Sequence, residues 1–277
     1  MIAVLLSLLL CVGCSEEVSV DTNEEVVVSS AEENVIIESK EEVMLPVVQQ
    51  YFKAVVDEDL DAFLNAFSED AVVSVVSRDL DTKDRISSFA TREVFGGLYE
   101  VYRAEMTDRG IRILLQFTPR GWDNPEPMAV YDFEIQDNKI THANLQYAND
   151  EDKAYFKDLT LNATDLIPYS FSLYLDGVAD DDEKLLVSGF TNDGSVKDVG
   201  RLIEGKEAIE AWASREVLSL EYDVLKIIYT DKGARLYNHV NFGSGSNGFY
   251  ATYDLEIEDN LINYADLLYS SDEEMEY

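Results

Sequence analysis

The chain has 277 residues and carries 56 Asp and Glu against 21 Lys and Arg, a formal net charge of −35. That excess of acid excludes a nucleic-acid-binding face, which needs clustered Lys and Arg to neutralise phosphates. Hydrophobic residues make up 46% and aromatics 11%, too much apolar material for a disordered acidic chain, so a folded protein with an acidic surface is expected.

Residues 2–12 form one apolar run, Ile2 to Val12, too short to span a bilayer and of the length of a signal-peptide core. It ends at Val12-Gly13-Cys14-Ser15, which resembles the bacterial lipoprotein cleavage box. The resemblance implies lipidation of Cys14, a mature chain starting there, and a membrane-anchored lipoprotein of the bacterial cell envelope. Cys11 stands where that box usually has Leu, and no Lys or Arg precedes the core. An ordinary signal peptide or anchor with an incidental Cys is the alternative. Cys11 and Cys14 are the only cysteines, so the mature chain has no disulfide framework, Cys-rich zinc site or Cys nucleophile. Residues 15–45 hold ten acids and one Lys and read as a self-repelling acidic tether.

The remainder is a repeat. A shift of 123 residues aligns 46–112 with 169–235 without a gap, and 21 of those 67 positions are identical. After one deletion opposite the Pro119–Pro127 loop, the shift becomes 122 and Tyr131-Asp132-Phe133-Glu134-Ile135 faces Tyr253-Asp254-Leu255-Glu256-Ile257. The expected organisation is a signal peptide (1–14), the tether (15–45), a first domain (46–150), a linker (151–164) and a second domain (165–277). In the first copy Val47, Val48, Tyr51, Phe52 and Val55 recur at helical spacing. Asp57-Glu58-Asp59 supplies a break with an N-cap, and Leu60, Phe63, Leu64 and Phe67 resume the period. A β-rich run follows at 71–76, a third helix through Ile86, Phe89, Ala90 and Val94, and then strands at 98–107, 111–118, 128–136 and 139–147. Asp108-Arg109-Gly110 and Asp137-Asn138 are the hairpin turns. Helices followed by antiparallel strands give an α+β fold. It is expected as two tandem cone-shaped domains, each with about three N-terminal helices on a curved antiparallel sheet.

Tyr51-Phe52-Lys53-Ala54, Asp59-Leu60-Asp61-Ala62-Phe63 and Phe67 to Val73, with Phe190 to Val196 and Glu204 to Ile209 in the second copy, resemble the opening of the nuclear transport factor two-like superfamily. That superfamily includes ketosteroid isomerases and SnoaL-like polyketide cyclases. Tyr131 to Thr141 and Tyr253 to Asn263 resemble its last hairpin. The resemblance implies a cone enclosing a pocket, and a dimer that the two copies could form within one chain, or a homodimer. In the isomerases a first-helix Tyr and a later-strand Asp donate to an enolate oxygen while an Asp on the first short strand moves the proton. Carried over, the tyrosine position is Tyr51 and Tyr174, and the base position is Val75 in copy one and Asp198 in copy two. The second donor is Tyr131 or Tyr253, not an acid. Copy two alone thus holds a candidate catalytic set, Asp198, Tyr174 and Tyr253, while Tyr51, Val75, Tyr131 and Trp212 are candidate pocket residues.

Alternation places Asp198 on the face of Val196, matching Val73 and Val75 in copy one, an apolar and hence inward face. An acid there is a candidate general base; the competing reading is a solvated or hydrogen-bonded acid at the pocket mouth. The tyrosines likewise are either pocket donors or core residues with a hydroxyl at the rim. Arg92-Glu93 and Arg215-Glu216 read as ion-pair or helix C-terminal charges, and Asp180 to Glu183 as a solvated turn between helices. Trp122 either lines a rim or packs. His142 and His239 are not equivalent positions and give no metal-ligand spacing, and no cofactor motif is present. Two functions remain open: a membrane-tethered protein binding a small apolar ligand or a partner without catalysis, and an isomerase or cyclase acting on a carbonyl compound through the second domain.

Overall fold

The computed structural model describes residues 46–157, 166–242 and 248–271. The signal-peptide core, Cys14, the acidic tether and the last six residues lie outside them. Among the described residues no helix is long and apolar enough to cross a membrane.

Two helices open the chain, α1 (Pro46–Val56) and α2 (Leu60–Asn65). Val47, Val48, Tyr51, Phe52 and Val55 of α1 are fully buried, the stripe that the helical spacing sets up. Asp59 caps α2 by accepting from the Ala62 amide at 3.0 Å. The helical period was expected to run on through Phe67, but the helix stops at Asn65 and Phe67 begins β1 (Phe67–Val75). There the Ile140 amide already bonds to the Ala66 carbonyl at 2.8 Å, so strand pairing takes over at that point. After β2 (Arg78–Leu80) come α3 (Lys83–Phe89), a π-helical turn (Ala90–Val94), and the strands β3 (Leu98–Thr107), β4 (Gly110–Thr118), β5 (Ala129–Gln136) and β6 (Lys139–Tyr147). These four strands fall within a residue of their expected limits. Asp137 and Asn138 both take positive φ, the two-residue hairpin turn that such a pair favours.

The segment expected as a linker, 151–164, opens instead inside a helix, α4 (Asp150–Phe156), closed at its start by an Asn149–Asp152 capping box. Phe156 is fully buried and joins Tyr102, Leu114, Met128 and Val130 in a small cluster separate from the main core.

The same order then recurs: α5 (Tyr169–Ala179), α6 (Glu183–Ser188), β7 (Phe190–Asp198), β8 (Arg201–Glu204), α7 (Lys206–Glu216), β9 (Glu221–Thr230), β10 (Gly233–Asn241), β11 (Phe249–Glu258) and β12 (Leu261–Tyr269). All twelve strands belong to one sheet, in the order β2-β1-β6-β5-β4-β3-β9-β10-β11-β12-β7-β8. Pairing is antiparallel except for β1 with β6 and β7 with β12. Equivalent registers recur: Leu115 faces Ala129 as Asn238 faces Ala251, and Val75 faces Leu145 as Asp198 faces Leu267. Gly110 and Gly233 are also equivalent, and a Cβ on either would run into the carbonyl oxygen of Phe133 or Leu255.

The halves meet where β3 pairs with β9, at Glu100 with Ile228 and Val101 with Ile227. Lys226, nearly buried, reaches Glu100 at 3.1 Å and lies over the Tyr237 ring at 4.3 Å. Arg103 donates to the Leu225 carbonyl at 3.0 Å. Phe52 of α1 stacks on Tyr229 of β9, centroids 5.2 Å apart. One continuous core therefore runs through both halves.

Candidate functional site

In the first half, α1 and the strands β3 and β5 converge three tyrosine hydroxyls. Tyr51 Oη lies 3.0 Å from Tyr131 Oη and 3.3 Å from Tyr99 Oη. Tyr51 and Tyr131 are fully buried among Phe63, Phe67 and Phe133. Burial, chiefly, raises the Tyr131 hydroxyl to about 12 and holds those of Tyr51 and Tyr99 well above the ordinary tyrosine value. All three are therefore neutral donors at physiological pH.

Tyr99 forms part of the wall of an open cleft of about 410 Å³. Apolar side chains dominate it: Val75, Phe89, Val94, Phe117, Ala129 and Leu145. The mouth carries Tyr147, Glu126 and the bidentate Arg78–Glu93 pair, with contacts of 3.1 and 2.7 Å. Val75 lines this cleft, whereas Tyr51 and Tyr131 are not among its lining residues. Trp122 is 62% exposed and is absent from the cleft's lining.

The second half repeats the hydroxyl cluster with a different centre. Tyr222 of β9 lies 3.1 Å from Tyr174 and accepts from Tyr253 at 3.2 Å. Burial raises the hydroxyls of Tyr174 and Tyr253 well above the ordinary value, and that of Tyr222 as well. The structure thus joins the expected Tyr174 and Tyr253, through a third tyrosine that the sequence reading did not single out. Tyr99 and Tyr222 were detectable, being one of the identities at the 123-residue shift.

Asp198 sits at the end of β7 with its side chain 25% exposed. Its Oδ2 accepts from Arg201 at 2.5 Å and from Trp212 Nε1 at 3.2 Å. No hydrogen bond joins it to Tyr174 or Tyr253, and among the described residues nothing donates to Oδ1. Its charge still contributes to the raised Tyr222 and Tyr253 hydroxyls. Trp212 is buried against this carboxylate. Arg201 also holds Glu216 through contacts of 3.0 and 2.6 Å, as Arg78 holds Glu93, so the glutamate of each Arg-Glu motif is held by an arginine of β2 or β8. No cluster of metal-ligating side chains occurs among the described residues. Asp180 to Asp182 form an exposed turn in which Asp182 caps α6.

No family model matches the sequence, and no curated protein matches it. Similar solved structures include a protein from Sinorhizobium meliloti named for polyketide cyclase activity, 21% identical over 36% of this chain and 94% of its own, TM-score 0.33. An NTF2-like protein of unknown function from Cytophaga hutchinsonii is 11% identical over 39% and 92%, TM-score 0.33. The orange carotenoid protein of Anabaena (Nostoc), with canthaxanthin bound, is 19% identical over 38% of each chain, TM-score 0.34.

Proposed function

We propose that the first-half cleft binds a small, largely apolar molecule bearing one hydrogen-bond-accepting oxygen, and that it does so without catalysis. The observation that carries this is the apolar cleft of about 410 Å³ with Tyr99 among its lining residues, in the size range of small-molecule sites. Two hydrogen bonds among Tyr131, Tyr51 and Tyr99 use two of three hydroxyl protons. Ordered from Tyr131 through Tyr51 to Tyr99, the chain leaves the Tyr99 proton for an occupant's oxygen and strengthens it cooperatively. Val75, standing where an isomerase base would stand, offers no proton acceptor. The Arg78–Glu93 pair is internally neutral, Glu126 adds a negative charge at the mouth, and the whole chain carries −35. Such a field repels anions, so the ligand is neutral or cationic.

In this reading the protein is exported and held at a cell-envelope membrane through lipidated Cys14, with residues 15–45 as a tether. Its halves are tandem, paired NTF2-like domains, 46–150 and 165–277. The short apolar core, the Val12-Gly13-Cys14-Ser15 sequence and the 123-residue repeat support this. A Cys14→Ser variant would then leave the membrane fraction.

Native mass spectrometry of the full chain tests the binding reading: a co-purifying neutral or cationic small molecule supports it, and an anionic amphiphile opposes it. A second reading, proton shuttling on a carbonyl compound, draws on the unengaged Oδ1 of Asp198 near Tyr222 and Tyr253. It requires that the protein exchange the α-hydrogens of cyclohexanone into deuterium oxide and that Asp198→Asn abolish the exchange.

A further inference from the structure

Asn238 is fully buried in β10, and neither its amide nitrogen nor its amide oxygen has a hydrogen-bond partner. Buried polar groups are nearly always paired, so an amide with both ends open calls for a partner that can donate and accept at once. Its place in the fold tells which occupant. On the same face of β10, Leu236 lies opposite Tyr253 and Val240 lies opposite Tyr222. Asn238 therefore sits between the strand positions of the two tyrosines whose hydroxyls bond to each other. Beside it on β11 is Ala251, a single methyl group, and the β9 register breaks between Tyr237 and Asn238. Tyr222 itself is only partly buried.

The first half provides the comparison. Its counterpart of Asn238 is Leu115, which packs fully buried in the core beside Ala129. A leucine therefore satisfies the fold at this position. The difference is not isolated: Val75 becomes Asp198 and Phe89 becomes Trp212, whose N–H meets Asp198. Three positions of the second half thus change from apolar to hydrogen-bonding while the three tyrosines are kept.

We infer that the interior of the second half is a separate binding site for a small uncharged molecule with an amide edge, a carbonyl oxygen beside an N–H. Asn238 Nδ2 donates to that oxygen and Oδ1 accepts from that N–H. A lactam or other secondary cis-amide presents this edge in one plane, matching the carboxamide whichever way it is flipped. A ketone of the same shape leaves Oδ1 unpaired, and a site built to hydrogen-bond its ligand rejects such an analogue strongly. This inference does not depend on the first-half cleft.

The test uses 2-piperidone and cyclohexanone on the isotope-labelled full chain, following the side-chain amide signal that Asn238→Leu removes. The lactam should shift that signal saturably, and cyclohexanone should bind about tenfold more weakly or worse. Asn238→Leu should lose lactam affinity by a similar factor while a neutral dye still binds the first-half cleft, which separates failure here from failure there. If the variant does not fold, the titration of the unmodified protein still decides. No saturable shift, equal binding of lactam and ketone, equal lactam binding by the variant, or a soaked crystal showing only a water on both Asn238 atoms would each overturn the assignment.

Discussion

Replacing Tyr51 by Phe keeps the ring and its packing, so no cavity forms and the loss is confined to one hydroxyl. That hydroxyl is the centre of its cluster, bonded to Tyr131 at 3.0 Å and Tyr99 at 3.3 Å. Tyr131, fully buried, keeps no partner; Tyr99, among the residues lining the cleft, loses one bond. The destabilisation is one net hydrogen bond of about 1 kcal/mol plus one orphaned buried hydroxyl of about 1–3, hence roughly 2–4 kcal/mol. The equivalent Tyr174→Phe behaves differently, because its two partners are also bonded to each other. Tyr222 keeps Tyr253 at 3.2 Å and is partly open to solvent, so the loss is only about 0.5–1.5 kcal/mol. Urea unfolding of both variants, compared through midpoints at unchanged m-value, reads the difference. Equal losses, or a larger one for Tyr174→Phe, would refute the assignment of Tyr51 and Tyr222 as the two centres.

Lys226→Met removes the cation from Glu100 at the β3–β9 seam, where both side chains are largely buried. Urea unfolding should show a loss of about 3 kcal/mol, much of it recovered in the Glu100→Gln/Lys226→Met double variant. Val76 and Val199 hold left-handed φ of 53° and 45° at equivalent hairpin tips, a conformation that β-branched residues rarely adopt. Val199→Asn, which precedes Gly200, should therefore raise stability by about 1 kcal/mol in thermal melts. Hydrogen bonds from Arg201 hold the Glu216 carboxyl below its ordinary value of 4.5. A lowered folded-state value contributes stability that is present above 4.5 and lost as pH falls through the folded-state value. The melting-temperature gap between the native protein and Arg201→Gln should accordingly shrink as pH falls from about 7 to about 3; a constant gap would contradict the linkage.

What the sequence made legible was local. Alternation and turn pairs such as Asp137-Asn138 place the strands of the first half closely, and the repeat transfers them to the second. The tyrosine centre was harder to read because β3 does not alternate cleanly. A bulge between Val101 and Arg103 sends Tyr102 into the separate small cluster with Phe156, while Tyr99 and Val101 stay in the main core. The seam left no local signature, since Glu100 and Lys226 lie 126 residues apart. Helix α4 looks like linker in the sequence because its one fully buried anchor, Phe156, comes at the very end of an acidic segment. Asn238 could be recognised only by comparing the halves, where it replaces Leu115.

The binding account is tested most directly by titrating the full chain with N-phenyl-1-naphthylamine and with its anionic sulfonate, 8-anilino-1-naphthalenesulfonate. The account predicts saturable fluorescence with the neutral dye, weaker binding of the anion, and loss of both in an Ala129→Phe variant whose circular dichroism matches the parent's. Equal or tighter binding of the anion, or an Ala129→Phe protein that binds as well as the parent, would contradict it.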